Sequence, residues 1–272
     1  MEIENKVVLV TGAGSGIGRA IALACGMENP SAVICVDKNT ANVEKTVSQL
    51  RETKTTAYAE TIDLTDLSAI ADLGEKVLKR HGVVDILFSN AGVSFAGDLE
   101  TSEEDWETSW NVNLMAQVRT AKALLPAMIS NGGGYIVNTA SAAGLLTNLG
   151  ALSYAVTKHA SVALSEWIAI NHRPDNIRVS VLCPMGVRTN MLFPDDDRTA
   201  SSKAESLAQR AVLDAGDILD PSQVAEVVIA AVKAEEFLIL PHKDVLGFYS
   251  FRANNTQKWI TSMAKYQEQI SK

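Results

Sequence analysis

The chain of 272 residues is short of the groups that several chemistries require. Its three cysteines, Cys25, Cys35 and Cys183, are odd in number, scattered and set in apolar runs. That pattern excludes a disulfide framework and reads as buried reduced thiols, the usage expected of a cytoplasmic protein. The four histidines (His81, His159, His172, His242) lie far apart without ligand spacing, so no metal site is expected. No apolar run is long enough to cross a bilayer. The first residues, Met-Glu-Ile-Glu-Asn-Lys, lead straight into a strand with no secretory pattern. Asn254-Asn255-Thr256 fits a glycosylation acceptor, but without such a leader the match carries nothing. Positive charge is in deficit. The net charge of −8 argues against nucleic acid or an anionic membrane as the main partner.

What is present is a regular alternation of apolar strands and helices. Val7–Val10 is a short, wholly apolar run that suits a strand buried on both faces. Further strands are expected at 32–36, 56–61, 84–88, 135–139, 177–182 and 237–240. Helices are expected over 17–27, 41–52, 67–80, 103–129, from about 151, and over 224–233 behind Pro221. Strand alternating with helix specifies a doubly wound parallel sheet of Rossmann type, with helices on both faces. No repeat or linker interrupts it, so residues 1–272 are expected to form one domain. The polar stretch 190–217, with Asp195-Asp196-Asp197 and Ser201-Ser202, is a candidate mobile lid. The tail 254–270 suggests one polar helix with Trp259, Ile260, Met263 and Tyr266 as its apolar stripe.

Between the first strand and the first helix stands Thr-Gly-Ala-Gly-Ser-Gly-Ile-Gly, residues 11–18. Small residues at Gly12, Gly16 and Gly18 let backbone approach a pyrophosphate, and a helix amino terminus offers free N–H groups. The second strand ends in Asp37, placed to accept both adenosine ribose hydroxyls and to repel a 2′-phosphate, which favours NAD over NADP. The adjacent Lys38 is the complication, since a cation there would suit that phosphate. Asp63 and Asn90 fall just past strand ends, where an open parallel sheet holds its ligand.

The reactive pair is Tyr154 and Lys158, four apart in a helical run and therefore on one face. A cation beside a phenol lowers its proton affinity from about 10 toward working pH. Ser141 follows the strand 135–139 and is placed to face the same ligand. Asn113 is a polar residue inside an apolar helical stretch; buried and bent out of regular helix, it would hold a water.

Thr-Gly-x-x-x-Gly-x-Gly, Asn-Ala-Gly, Ser and Tyr-x-x-x-Lys, in this order, resemble the short-chain dehydrogenase/reductase family over residues 5–240, in its compact single-domain branch. The resemblance implies Asn113, Ser141, Tyr154 and Lys158 as catalytic residues. It implies cofactor contacts from Gly12, Ser15, Gly16, Ile17, Gly18 and Asp37, from Asp63 and Leu64 beside the adenine, and from Tyr154 and Lys158. Asn90, Ala91 and Gly92 would follow near the ribose, and Pro184, Val187 and Thr189 at the nicotinamide amide. It also implies a homotetramer packed through the two long helices. Two positions depart from the pattern: Met185 stands where glycine is usual after the proline, and Ser89 replaces the first Asn of Asn-Asn-Ala-Gly.

The expected reaction is reversible hydride transfer between NAD and a secondary alcohol. The expected pocket residues Val93, Phe95, Leu145, Leu146, Leu149, Met185, Met191, Leu192 and Phe193 are apolar, so a hydrophobic or aromatic substrate is expected. Arg188 and Arg198 would bind an acidic group only if they turned inward. The alternatives are an NADPH-dependent ketone reductase and a nucleotide-binding sensor without chemistry.

Overall fold

The computed structural model describes residues 1–193 and 203–271. In chain order the first half comprises β1 (Val7–Thr11), α1 (Gly16–Gly26), β2 (Ala32–Asp37), α2 (Thr40–Glu52), β3 (Ala57–Thr61), α3 (Leu67–His81) and β4 (Ile86–Ser89). Next come α4 (Glu103–Trp110), a π turn (Asn111–Met115), α5 (Ala116–Ser130), β5 (Gly134–Thr139), α6 (Ala143–Leu146), α7 (Leu152–Asn171) and β6 (Ile177–Leu182). The chain ends with α8 (Lys203–Asp214), α9 (Pro221–Ala234), β7 (Leu238–Ile239), α10 (Asp244–Asn254) and α11 (Thr256–Ile270).

Among the described residues the strands form one sheet in the order β3-β2-β1-β4-β5-β6-β7, every pair parallel. This is the Rossmann-type α/β fold. β1 and β5 are buried along their whole length, which is why the Val7–Val10 and Tyr135–Val137 runs are apolar and do not alternate. One face packs Val8, Val10, Ile21, Cys25 and Val228 under α1 and α9. The other packs Leu9, Ile34, Leu73, Leu87, Leu124 and Ile136 under α3 and α5. The sheet turns from one winding direction to the other between β1 and β4, and a crevice opens there at the strands' carboxyl ends.

One expectation is corrected. The helix expected over 103–129 is two helices joined by the π turn, a local insertion of the kind found at functional sites. The expected tail helix is α11, and α10 precedes it where no element was foreseen, the two meeting at Asn255 (φ −138, ψ 46). Within the expected lid, residues 203–214 are helix; Asp195, Asp196, Asp197, Arg198, Ser201 and Ser202 lie outside the described residues. The tail returns to its own chain: the Tyr266 hydroxyl donates to Asp214 at 3.1 Å, and Arg210 donates to the Ile270 carbonyl at 2.6 Å. No described helix is long and apolar enough to cross a membrane. The three cysteines are free and buried.

Candidate active site

The glycine turn leaves β1 at Thr11 and enters α1 at Gly16. Ser15 is the N-cap, with no side-chain cap bond, so the first-turn N–H groups of Gly16, Ile17 and Gly18 meet no capping side chain. Free donors and the positive helix end together suit a phosphate. A Cβ on Gly18 would overlap the Gly12 carbonyl oxygen, and one on Gly16 (φ +50) would sit 3.0 Å from the Thr189 methyl. The turn therefore needs its small residues to pack against β1 and the segment after β6. Gly12 itself lies against the Ala91 backbone. These are the features a dinucleotide pyrophosphate requires, and the residues present fit it.

Asp37 closes the other side of the turn. Its two oxygens accept the Gly14 and Asn39 N–H groups, each at 2.9 Å. Arg19, which sequence reasoning passed over, donates from its guanidinium to the Gly14 carbonyl and to the Thr46 hydroxyl, the latter at 3.2 Å. Thr46 in turn donates to the Ala13 carbonyl at 2.9 Å. Asp63 accepts from the Thr65 N–H (2.9 Å) and hydroxyl (2.8 Å), which hold its carboxyl below the usual range. Leu64 is buried in the core face that carries Leu9 and Ile34.

Asn90 joins three strand ends. Its N–H donates to the Thr11 hydroxyl at 2.9 Å, its amide donates to the Thr11 carbonyl at 3.2 Å, and its Oδ1 accepts from the Thr139 hydroxyl at 3.2 Å. The Ala91 N–H also reaches the Thr11 hydroxyl, at 3.1 Å. A Cβ on Gly92 would stand 3.2 Å from Asn113 Oδ1 and 3.3 Å from Lys158 Nζ. The Asn-Ala-Gly segment thus touches both the glycine turn and the reactive pair.

Ser141, Tyr154 and Lys158 converge as the sequence led us to expect. The Tyr154 hydroxyl faces Ser141, whose influence lowers its proton affinity, while Ser141 Oγ donates to the Pro184 carbonyl at 3.4 Å. Lys158 Nζ donates to the Thr139 carbonyl at 2.8 Å and lies 5.5 Å from the Tyr154 ring centre. Ser141 Oγ also accepts the Ala143 N–H at 3.1 Å, and the Ala142 N–H donates to the Pro184 carbonyl at 2.8 Å. Proton affinity departs from expectation. Burial pushes the Tyr154 phenol up; the Ser141 hydroxyl opposes this and the nearby Cys183 thiol adds to it. Burial also pulls the Lys158 ammonium down to about 8. The lysine's bond goes to a backbone carbonyl and its charge is itself poorly solvated, so the expected lowering of the phenol is not produced by the chain alone.

Asn113 is fully buried at the π turn. Its Oδ1 accepts the Val93 N–H at 2.8 Å, and its Nδ2 donates to the Val93 carbonyl (2.9 Å) and the Thr157 hydroxyl (3.0 Å). Both amide hydrogens are used, which leaves Oδ1 and the π-turn backbone as the groups able to hold the water expected from the sequence. Its amide clamps the segment after β4 to α7, one residue from Lys158. Asn113→Ala should cost about 1–3 kcal/mol of stability by stranding those buried partners; urea unfolding midpoints would measure it, and an unchanged midpoint would contradict the clamp.

The expected pocket residues divide. Leu145 and Leu146 are buried in a satellite core with Val181, Cys183 and Val245, against which Met185, Tyr249 and Trp259 pack. Leu149, Met185, Leu192, Phe95 and Phe193 are half-buried, and Met191 is exposed. Val187 is buried and forms a bridge to Leu219. Arg188 is paired with Asp220 at 3.1 Å on the surface, its guanidinium 5.6 Å from the Phe193 ring centre. The sequence pattern offered no sign of His242, which bonds Met185 and Gly186.

Comparison with known proteins agrees with this geometry. The short chain dehydrogenase family model matches residues 6–200. Meso-2,3-butanediol dehydrogenase of Serratia marcescens is 35% identical over 231 residues, 84% of this chain and 87% of that protein. A short chain dehydrogenase/reductase from Burkholderia phymatum, solved in complex with NAD, superposes with a TM-score of 0.85 at 30% identity, covering 94% of this chain and 96% of that one. L-sorbose reductase from Gluconobacter frateurii, complexed with NADPH and L-sorbose, gives a TM-score of 0.77 at 25% identity, covering 88% and 95%. With its fold, its glycine turn and its Ser-Tyr-Lys cluster, the chain belongs to the short-chain dehydrogenase/reductase family of oxidoreductases.

Proposed function

We propose that this chain is an NAD-dependent alcohol dehydrogenase that interconverts hydrophobic or aromatic secondary alcohols and their ketones. Residues 1–272 act as one domain that binds cofactor and carries the chemistry. The observation that carries the reading is the meeting of Ser141, Tyr154 and Lys158 beside the glycine turn. Gly12, Ser15, Gly16, Ile17 and Gly18 would hold the pyrophosphate. Asp37 would take the adenosine ribose, Asp63 and Leu64 the adenine, Asn90, Ala91 and Gly92 the ribose side, and Pro184, Val187 and Thr189 the nicotinamide amide. When bound, the nicotinamide supplies the hydride acceptor or donor.

The side chains do the rest. Ser141 Oγ orients the substrate oxygen and stabilises charge on it. Tyr154 Oη exchanges a proton with that oxygen. Lys158 bonds the nicotinamide ribose, and its ammonium balances the phenolate when the proton has moved. Asn113 positions Val93 and α7, and any water relay from Lys158 would run through its Oδ1 or the backbone of the π turn. Leu145, Leu149, Met185, Met191 and Leu192 supply the apolar surface. A panel of secondary alcohols with NAD, followed by NADH absorbance, tests this; preference for carboxylated or phosphorylated substrates would overturn the apolar assignment.

Asp37 supports NAD, because a 2′-phosphate would face its carboxylate. Asp37→Ser should shift the NAD/NADP preference toward NADP by about tenfold or more, ~1.4 kcal/mol, read as the ratio of kcat/KM values. An unchanged ratio would remove Asp37 from the cofactor site. The second reading, an NADPH-dependent ketone reductase, is favoured by the raised proton affinity of Tyr154 and by exposed Lys38 next to Asp37. The same ratio decides between them. A homotetramer through α4–α5 and α7 is supported by exposed Trp110, Val156, Trp167 and Ile170 on those helices, and light scattering of the purified protein would measure it. The buried free thiols suit a cytoplasmic setting.

A further inference from the structure

The residues around α10 grip both walls of the site, and the chemistry proposed above does not use them. β7 pairs in parallel with β6, Leu182 opposite Ile239. Three residues further along each chain, Met185 comes opposite His242. The Met185 N–H donates to His242 Nδ1 at 3.1 Å. Nδ1 is therefore the acceptor, so the ring hydrogen sits on Nε2, which faces the Gly186 carbonyl at 3.0 Å. One buried imidazole thus spans the N–H and the C=O of consecutive residues. At the far end of α10, Arg252 donates to the Leu145 carbonyl, on the wall that follows Ser141. Leu145, Met185, Val245, Tyr249 and Trp259 fill the space between the two grips.

We infer that His242 is a positioning residue for the reaction site: its neutral, Nε2-protonated ring fixes Met185 and Gly186. It thereby fixes the seat that Pro184, Val187 and Thr189 offer the nicotinamide and the wall that Met185 offers the substrate. This rests on the dehydrogenase reading for the identity of the bound group; the clamp itself rests on hydrogen bonds within the chain.

The clamp works in one protonation state. A proton on Nδ1 would set a donor against the Met185 N–H. The groups facing the ring are the Gly186 and Asp217 carbonyls and the Asp217 and Asp244 carboxylates, all of which favour the charged ring. Burial outweighs them and holds the imidazole below its ordinary 6.5. Because the folded value lies below the unfolded one, the clamp is intact above about 6.5 and is lost as pH falls through the depressed value.

The test combines imidazole 15N NMR of the full chain with NADH binding by fluorescence, from about pH 8 to about pH 5, in wild type, His242→Gln and His242→Ala. At neutral pH the His242 Nδ1 resonance should be that of an unprotonated nitrogen. Wild-type NADH affinity should fall as the ring titrates. His242→Gln, whose amide offers one acceptor and one donor and does not titrate, should lack that fall. His242→Ala should bind NADH roughly three- to tenfold more weakly at neutral pH, with His242→Gln recovering most of the loss. A protonated Nδ1 at neutral pH, or a His242→Gln curve that follows wild type, would overturn the inference while NADH binding persists. Absence of NADH binding by wild type at every pH would overturn the dehydrogenase reading and the positioning role with it, and the 15N resonance would still decide the clamp.

Discussion

Tyr154→Phe should lower turnover by roughly 10²- to 10⁴-fold, the range associated with loss of a positioned acid–base group, and leave NADH affinity close to wild type. The substitution keeps the ring and removes one oxygen. The Lys158 bond to the Thr139 carbonyl, the Asn113 clamp and the glycine turn do not involve that oxygen. What is lost is the hydroxyl beside Ser141 that, in the proposed reaction, exchanges the substrate proton. Steady-state rates with a secondary alcohol and NAD, beside an NADH fluorescence titration, would measure both quantities. Turnover within tenfold of wild type would remove Tyr154 from the chemistry. The direction of the proton-affinity shift adds a pH signature. A phenol pushed up by burial is protonated at neutral pH, so ketone reduction should hold its rate there while alcohol oxidation climbs with pH.

Gly18→Ala should be the most damaging single methyl in the molecule. The added carbon would overlap the Gly12 carbonyl oxygen, and would also press on the Asn90 side-chain nitrogen at 2.5 Å. The first obstacle is backbone and cannot rotate away. Asn90 is held by Thr11 and Thr139, so it yields only by breaking the tie between β1, β4 and β5. Overpacking of this kind costs about 1–3 kcal/mol. The start of α1 must shift as well, and NADH affinity should fall by about a hundredfold, ~2.7 kcal/mol. Gly247→Ala is the control: nothing lies within 4 Å of its added carbon and it sits inside α10, so it should be neutral or stabilise by about 0.5–1 kcal/mol. Thermal unfolding and NADH titration of the two variants would compare them. Equal behaviour would mean that the glycine turn is looser than its contacts indicate.

Local sequence made much of the sheet legible, because strands buried on both faces are written as unbroken apolar runs. Val7–Val10 and Ala32–Val36 are such runs, and both lie in strands. The glycine turn was legible for a related reason: close backbone approach tolerates few residue types. The contacts those glycines make, Gly16 against Thr189 and Gly18 against Gly12, became visible only in the fold. Tyr154 and Lys158 could be paired because a helix brings i and i+4 together. The π turn could not be placed, since Glu103–Ser130 is helical throughout by propensity and the insertion depends on Asn113 finding Val93 and Thr157. Helix α10 was missed because much of its anchorage, Val245 in the satellite core and Arg252 on Leu145, lies on distant residues.

By itself, then, the sequence determined the parallel sheet and the place of the glycine turn, and it singled out Ser141, Tyr154, Lys158 and Asp37 as candidates. These are matters of local periodicity and of residues whose chemistry has few substitutes. Tertiary structure alone decided the proton affinities, the use of the Asn113 amide, the pairing of Arg188 with Asp220 and the His242 bridge to Met185 and Gly186. Each of those depends on burial or on a partner far along the chain. Solvation and long-range hydrogen bonds come into being only when the elements pack.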